Sequence, residues 1–138
     1  MELVKEKVEM SKKTVFCDKV ATPRAPHGHA AKVGNLVFVS GTTPFEKDRS
    51  IAVGNFPAQM RQTMTNVSNI LEEVGSSLDK VVKVNVFLDR ISDFQEMNEI
   101  YKEFFGTDPS VWPARTTVQA RLPVKDFLLE IECVAEVE

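Results

Sequence analysis

Between residues 55 and 106 the apolar pattern changes period twice, from helical to alternating and back. Met60, Met64, Val67, Leu71 and Val74 recur at steps of four and three, which lays one apolar stripe along a helix. Asn55 caps that helix, Pro57 fits its first turn, and Gly75 closes it. The run "KVVKVNVFLD" (80–89) alternates instead, with Val82, Val84, Val86 and Leu88 on one side, as a half-buried strand does. "SDFQ" (92–95) then reads as a capping box ahead of a second stripe, Phe94, Met97, Tyr101 and Phe104, which stops at Gly106. Two helices with one stripe each and a strand between them pack most economically as helices on one face of a mixed sheet, an α+β sandwich.

The flanks supply the rest of the sheet. "TVFCDKV" (14–20) and "VGNLVFVSG" (33–41) read as strands, the second apolar enough to want cover on both faces. "ATPRAPHGHA" between them, with its prolines and glycine, is a loop, and 43–55 is a polar connection. The closing run, 112–137, holds two more extended segments. In the first, Arg115, Thr117 and Gln119 share a side; in the second, Leu129, Ile131, Cys133, Ala135 and Val137 form an apolar face opposite Glu130, Glu132 and Glu136. The expected order is β-β-α-β-α-β-β, one domain over 14–138 behind a tail at 1–13. Lys83, Asn85, Arg115, Thr117, Gln119, Glu130 and Glu132 are expected on the sheet face away from the helices, with apolar neighbours such as Phe87. A face so mixed, beside so apolar a strand, points to self-association.

Composition narrows the function. At 138 residues the chain can bury a core without a disulfide framework. Cys17 and Cys133 sit in apolar runs and read as buried thiols of a reducing compartment. A net charge of −3 disfavours a nucleic-acid partner. No apolar run is long enough to span a bilayer. The mixed charges of "MELVKEKVEMSKK" fit neither a secretory signal nor a transit peptide, so a cytoplasmic setting is expected over the mitochondrial matrix.

"PARTTVQARLPVKDFLLEIECVA" resembles the signature of the YjgF/RidA family: Pro-Ala-Arg, a strand, Leu-Pro, then alternating hydrophobic residues and glutamates. "GNLVFVSG" and "SLDKVVKVNVFLDRISDFQEMNEIYKEFF" are similar to that family too, so the likeness runs from about Thr14 to Glu136. The resemblance implies a chorismate-mutase-like fold and a homotrimer whose sheets close into a barrel with clefts between subunits. It further implies cofactor-free and metal-free hydrolysis of reactive enamines and imines, such as 2-aminoacrylate, to a keto acid and ammonia.

By that likeness Arg115 holds the substrate carboxylate, a task its planar fork of donors suits. Spacing alone leaves a salt bridge to a sheet-face glutamate as the competing role. Glu130, fifteen positions on, is implied as the proton shuttle that imine hydrolysis needs, its pKa set by burial against the pull of Arg115. Thr117 stands where many relatives carry cysteine and would meet substrate through its backbone amide. Asn98, Ser40 and Gly41 match positions that border the cleft. In "APHGH" His27 aligns with a tyrosine that covers the site in aminoacrylate deaminases, and Thr42 replaces a glutamine; both departures bear on the substrate. His27, His29 and Glu130 form too thin a set for a metal site. Three readings stay open: an enamine/imine deaminase, an enzyme of the same fold serving one catabolic or biosynthetic pathway with another small substrate, and a trimeric binder of small carboxylates that does no chemistry.

Overall fold

The computed structural model describes residues 11–137. Six strands and two helices follow in the order β1 (Lys13–Val15), β2 (Ala30–Val33), β3 (Leu36–Thr42), α1 (Phe56–Glu73), β4 (Val81–Leu88), α2 (Phe94–Phe105), β5 (Ala114–Gln119) and β6 (Leu129–Glu136). They form one mixed sheet, β1-β2-β3-β6-β4-β5, antiparallel except where β4 and β5 run parallel on either side of α2. Of the tail expected over 1–13, the first ten residues lie outside those described, and Lys13 already pairs with Lys32.

The amphipathic stripes account for the packing. Met60, Met64, Val67 and Leu71 of α1 are fully buried against β3 and β6, where Val37, Val39, Leu129 and Ile131 meet them. Asn55 caps α1 by accepting from the Ala58 N–H, and Gly75 ends it with φ at 79°. Met97, Ile100, Tyr101 and Phe105 bury the corresponding face of α2. Both cysteines are buried and free. Among the described residues no helix is long and apolar enough to cross a membrane.

Four expectations need correcting. The run 33–41 is not one strand: Val33 pairs with Leu36 across Gly34-Asn35, Gly34 takes φ 56°, and β2 folds back on β3 as a hairpin. The sheet therefore has one strand more than expected, while β1 stops at Val15. Ser92 does not cap α2; a 3-10 turn over Ile91–Asp93 precedes it, and the Asp93 carboxylate is held by Arg90 instead. Val82 is exposed because the β4–β6 register shifts between Val81 and Lys83. Most consequential is β5, which joins β4 and not β6, with Arg115 opposite Val84 and Thr117 opposite Val86. Partners in register share a side, so Arg115, Thr117 and Gln119 face the helices with the buried valines. Glu130 pairs with Phe87 and Glu132 with Asn85, on the opposite face. That open face carries Phe38 and Val118, 46% and 42% exposed, among its polar groups.

Candidate active site

A cavity of about 350 Å³ lies where the 20–29 loop, the end of β3 and the segment before β6 meet. Its loop is built around His29, whose Nδ1 accepts from the Cys17 N–H at 2.8 Å while Nε2–H donates to the Ala21 carbonyl at 2.8 Å. Both ring nitrogens are thereby taken by backbone, and none is left for a ligand. The loop sits tightly on β1: a Cβ at Gly28 would stand 2.5 Å from Thr14 Cγ2, so only glycine fits there. Ser40 Oγ donates to the Gly28 carbonyl at 2.7 Å, and His27 Nδ1 shares that acceptor at 2.8 Å. This pair ties the loop to β3 beside the cavity. The hydroxyl of Thr42 turns back to the Ser40 carbonyl.

Glu130 enters the same cavity from β6. Its carboxylate lies over Gly41, where a Cβ would come within 3.0 Å of Oε2, so the bare glycine makes its room. Burial pushes the Glu130 carboxyl above its ordinary value; His27 pulls it back and Glu132 adds to the rise. Arg115, expected to oppose burial, has no part in this because it lies on the other side of the sheet. The raised value has a stability consequence. The folded chain holds this proton to higher pH than the unfolded chain, so stability falls as pH climbs from the ordinary carboxylate range through the raised value. Glu130→Gln is accordingly expected to raise Tm at pH 7, with the gain vanishing below the ordinary carboxylate value; thermal melts across pH check this.

Two fully buried amides on α1 hold the remaining walls. Gln59 donates to the Ala52 and Asp126 carbonyls and accepts from the Leu128 N–H. Asn66 donates to the Thr43 and Phe45 carbonyls. Phe45 and Phe127 then meet edge to face, their centroids 4.9 Å apart, as the apolar lining.

A second cavity, about 490 Å³, opens at the far edge of the sheet between α2 and the start of β5. Arg115 lines it with Glu99 and Lys102, which pair with each other at 3.4 Å. Nη2 donates to Asn98 Oδ1 at 2.8 Å, Nη1 lies 3.8 Å from Met97 Sδ, and the guanidinium carbon stands 4.8 Å from the Tyr101 ring centroid. Every one of these partners is uncharged, and among the described residues Arg115 has no carboxylate. The salt bridge to a sheet-face glutamate does not form. Burial raises the Tyr101 hydroxyl to about 12, against the pull of Arg115, so it stays a phenol at working pH. Trp112 flanks the opening, its Nε1 donating to the Gly106 carbonyl.

The seven expected site residues therefore fall into two groups. His27, Ser40, Gly41 and Glu130 line the first cavity, and Asn98 and Arg115 the second. Thr117 lines neither; it lies beside Arg115 on the helix-facing side, its buried hydroxyl without a partner. Sequence reasoning missed Arg24, Arg49, Phe45 and Phe127 in the first group and Trp112 in the second, and took Tyr101 for core alone. Only Trp112, close before Pro-Ala-Arg, carried a signal by position.

Comparison with known proteins bears on what these halves belong to. The family model described as Endoribonuclease L-PSP matches residues 18–137. A RutC family protein of Pyrococcus abyssi is 42% identical over 128 residues, covering 91% of this chain and 98% of its own. The chain belongs to the YjgF/RidA family. Among solved members of the fold, yeast Mmf1 superimposes with a TM-score of 0.85 at 36% identity, covering 93% of this chain and 100% of its own. Escherichia coli TdcF with bound serine gives 0.83 at 32% identity over 91% of this chain and 99% of that one. Family membership fits the mixed sheet with two helices.

Proposed function

We propose that this chain hydrolyses small enamines and imines of the 2-aminoacrylate type to 2-keto acids and ammonia, as a homotrimer. One observation carries the reading: Arg115 is a half-buried guanidinium oriented by Asn98, Met97 and Tyr101, with no anion of its own, at the wall of an open cavity. Such a group is set to receive a carboxylate through parallel charge-assisted hydrogen bonds. Within one chain, Glu130 lies on the other sheet face and in the other cavity. A working site needs the Arg115 half of one copy against the Glu130 half of the next, which the exposed Phe38 and Val118 of the open face favour.

In that cleft Arg115 would hold the substrate carboxylate. Glu130 would take a proton from water as it adds to the imine carbon and return it to the nitrogen, giving a carbinolamine; it would then carry the hydroxyl proton to the same nitrogen, so that the C–N bond breaks, the carbonyl forms and ammonia leaves. Burial raises its carboxyl above the ordinary value, which favours its return of the proton. His27 and Ser40 stand beside the carboxylate as hydrogen-bonding groups. We place this activity in the cytoplasm, although the fission-yeast relative mmf2 is named a mitochondrial protein.

Serine bound to TdcF favours a second reading, a trimer that only holds small amino or keto acids. Ammonia release from 2-aminoacrylate generated in situ separates the two. Wild type is expected to accelerate it over buffer and Arg115→Ala to lose that acceleration. Binding of a keto acid with no acceleration would leave the binder. The family description names an endoribonuclease, and a net charge of −3 opposes a polyanionic substrate here. In solution the mass is expected near three times 15.5 kDa; a mass of one chain would end the shared-cleft model.

A further inference from the structure

The wall of the first cavity away from Glu130 carries two guanidiniums that the proposed reaction does not use. Arg24 and Arg49 both line it, and both also line an adjoining hollow together with Lys47 and Asp48. Arg49 is fixed in place. Its backbone sits at φ 70°, in the left-handed region that costs a non-glycine residue about 1 kcal/mol or more. A tight turn holds it there: Arg49 N–H donates to the Glu46 carbonyl, and Glu46 N–H to the Ser50 carbonyl. From that position Nη1 donates to the Thr22 carbonyl at 2.6 Å and the guanidinium stacks 4.5 Å over the Phe45 ring.

The nearby carboxylates do not neutralise these cations. Asp48 accepts from the Ser50 N–H and hydroxyl, and Glu46 accepts from the same hydroxyl. Among the described residues Arg24 has neither a hydrogen bond nor an ion pair, and no carboxylate pairs with Arg49 or Lys47. Glu130 is the one acidic residue on the cavity wall, and the charges that act on its carboxyl are His27 and Glu132, not Arg24 or Arg49. A volume of about 350 Å³ falls at the lower end of the usual range of small-molecule sites, about 300–1,000 Å³.

We infer that this site prefers substrates with a second carboxylate: imines of acidic amino acids, whose side-chain carboxylate would lie on Arg24 and Arg49. This rests on the first cavity being the substrate's, as proposed above. The argument is one of unmet charge. A fixed cation on an apolar shelf, beside an exposed one with no partner, gains most from an anion delivered along the cavity. A neutral side chain would leave both solvated.

The test compares two keto acids of equal chain length, 2-oxoglutarate and 2-oxopentanoate, in which a carboxylate replaces a methyl group. Their Kd values for the whole protein are measured by calorimetry at low salt. Wild type is expected to favour 2-oxoglutarate by about tenfold, the worth of one charge-assisted hydrogen bond. Arg24→Ala should bring the ratio of the two affinities towards one, Arg24→Lys should keep part of it, and added salt should erode it. A wild-type ratio at or below one, a ratio unmoved by Arg24→Ala, or failure of both acids to bind would each overturn the inference. Loss of the ratio with ammonia release intact removes only the acidic preference. A preserved ratio without ammonia release removes only the deaminase reading.

Discussion

Arg115→Lys is expected to lower kcat/KM for 2-aminoacrylate by about one to two orders of magnitude, although it keeps the charge. The cradle explains why. Arg115 gives one arm to Asn98 Oδ1 and lays its plane by the Tyr101 ring, which leaves the rest of the fork directed by contacts at two points. A lysine ammonium can answer Asn98 or the substrate carboxylate, but it cannot stack and present two parallel donors together. It also loses a hydrogen bond to a charged group, worth about 1.5–3 kcal/mol. Stability should change little, because the position is at a sheet edge and makes no ion pair. Steady-state kinetics beside a thermal melt is the measurement. A near-wild-type rate in Arg115→Lys would mean that charge alone is required there.

How much of this was legible in sequence depends on the range of the interaction concerned. The α1 stripe could be read because Met60, Met64, Val67 and Leu71 meet one sheet face from one helix, and period alone places them. The β2–β3 hairpin was missed although its signal was present: Gly34-Asn35 between apolar residues is a two-residue turn with glycine at its first central position. The length of the apolar run concealed it. For β5, alternation correctly grouped Arg115 with Thr117, but which side that group takes is decided by pairing with Val84, thirty-one positions back and across a helix. No local pattern holds that information. The same applies to Gln59 and Asn66, polar residues near a helix stripe whose burial makes sense only once the loops they hold are in place. Arg115 and Glu130 were identified through the family likeness; their separation onto two faces was not, because it follows from the register that sets Arg115 beside Val84 and Glu130 beside Phe87 on β4.

That separation leads to the largest expected effect. Arg115→Ala and Glu130→Gln should each be inactive as pure proteins, yet a mixture of the two, unfolded together and refolded, should recover activity. In a ring where each cleft takes Arg115 from one copy and Glu130 from the next, a cleft is intact when the first copy is the Glu130 variant and the second the Arg115 variant. Random assembly at equal amounts makes that arrangement in about a quarter of clefts, so about a quarter of wild-type activity should return. Mixing without refolding should restore activity only as fast as subunits exchange. The alternative arrangement predicts a different number: if both groups served one chain's own site, every cleft in the mixture would carry a defect and the refolded mixture would stay inactive. The β-sheet order argues against that outcome, since β4 stands between β5 and β6 and the two side chains leave the sheet in opposite directions. A refolded mixture as inactive as its components, with its mass still that of a trimer, would sink the shared cleft.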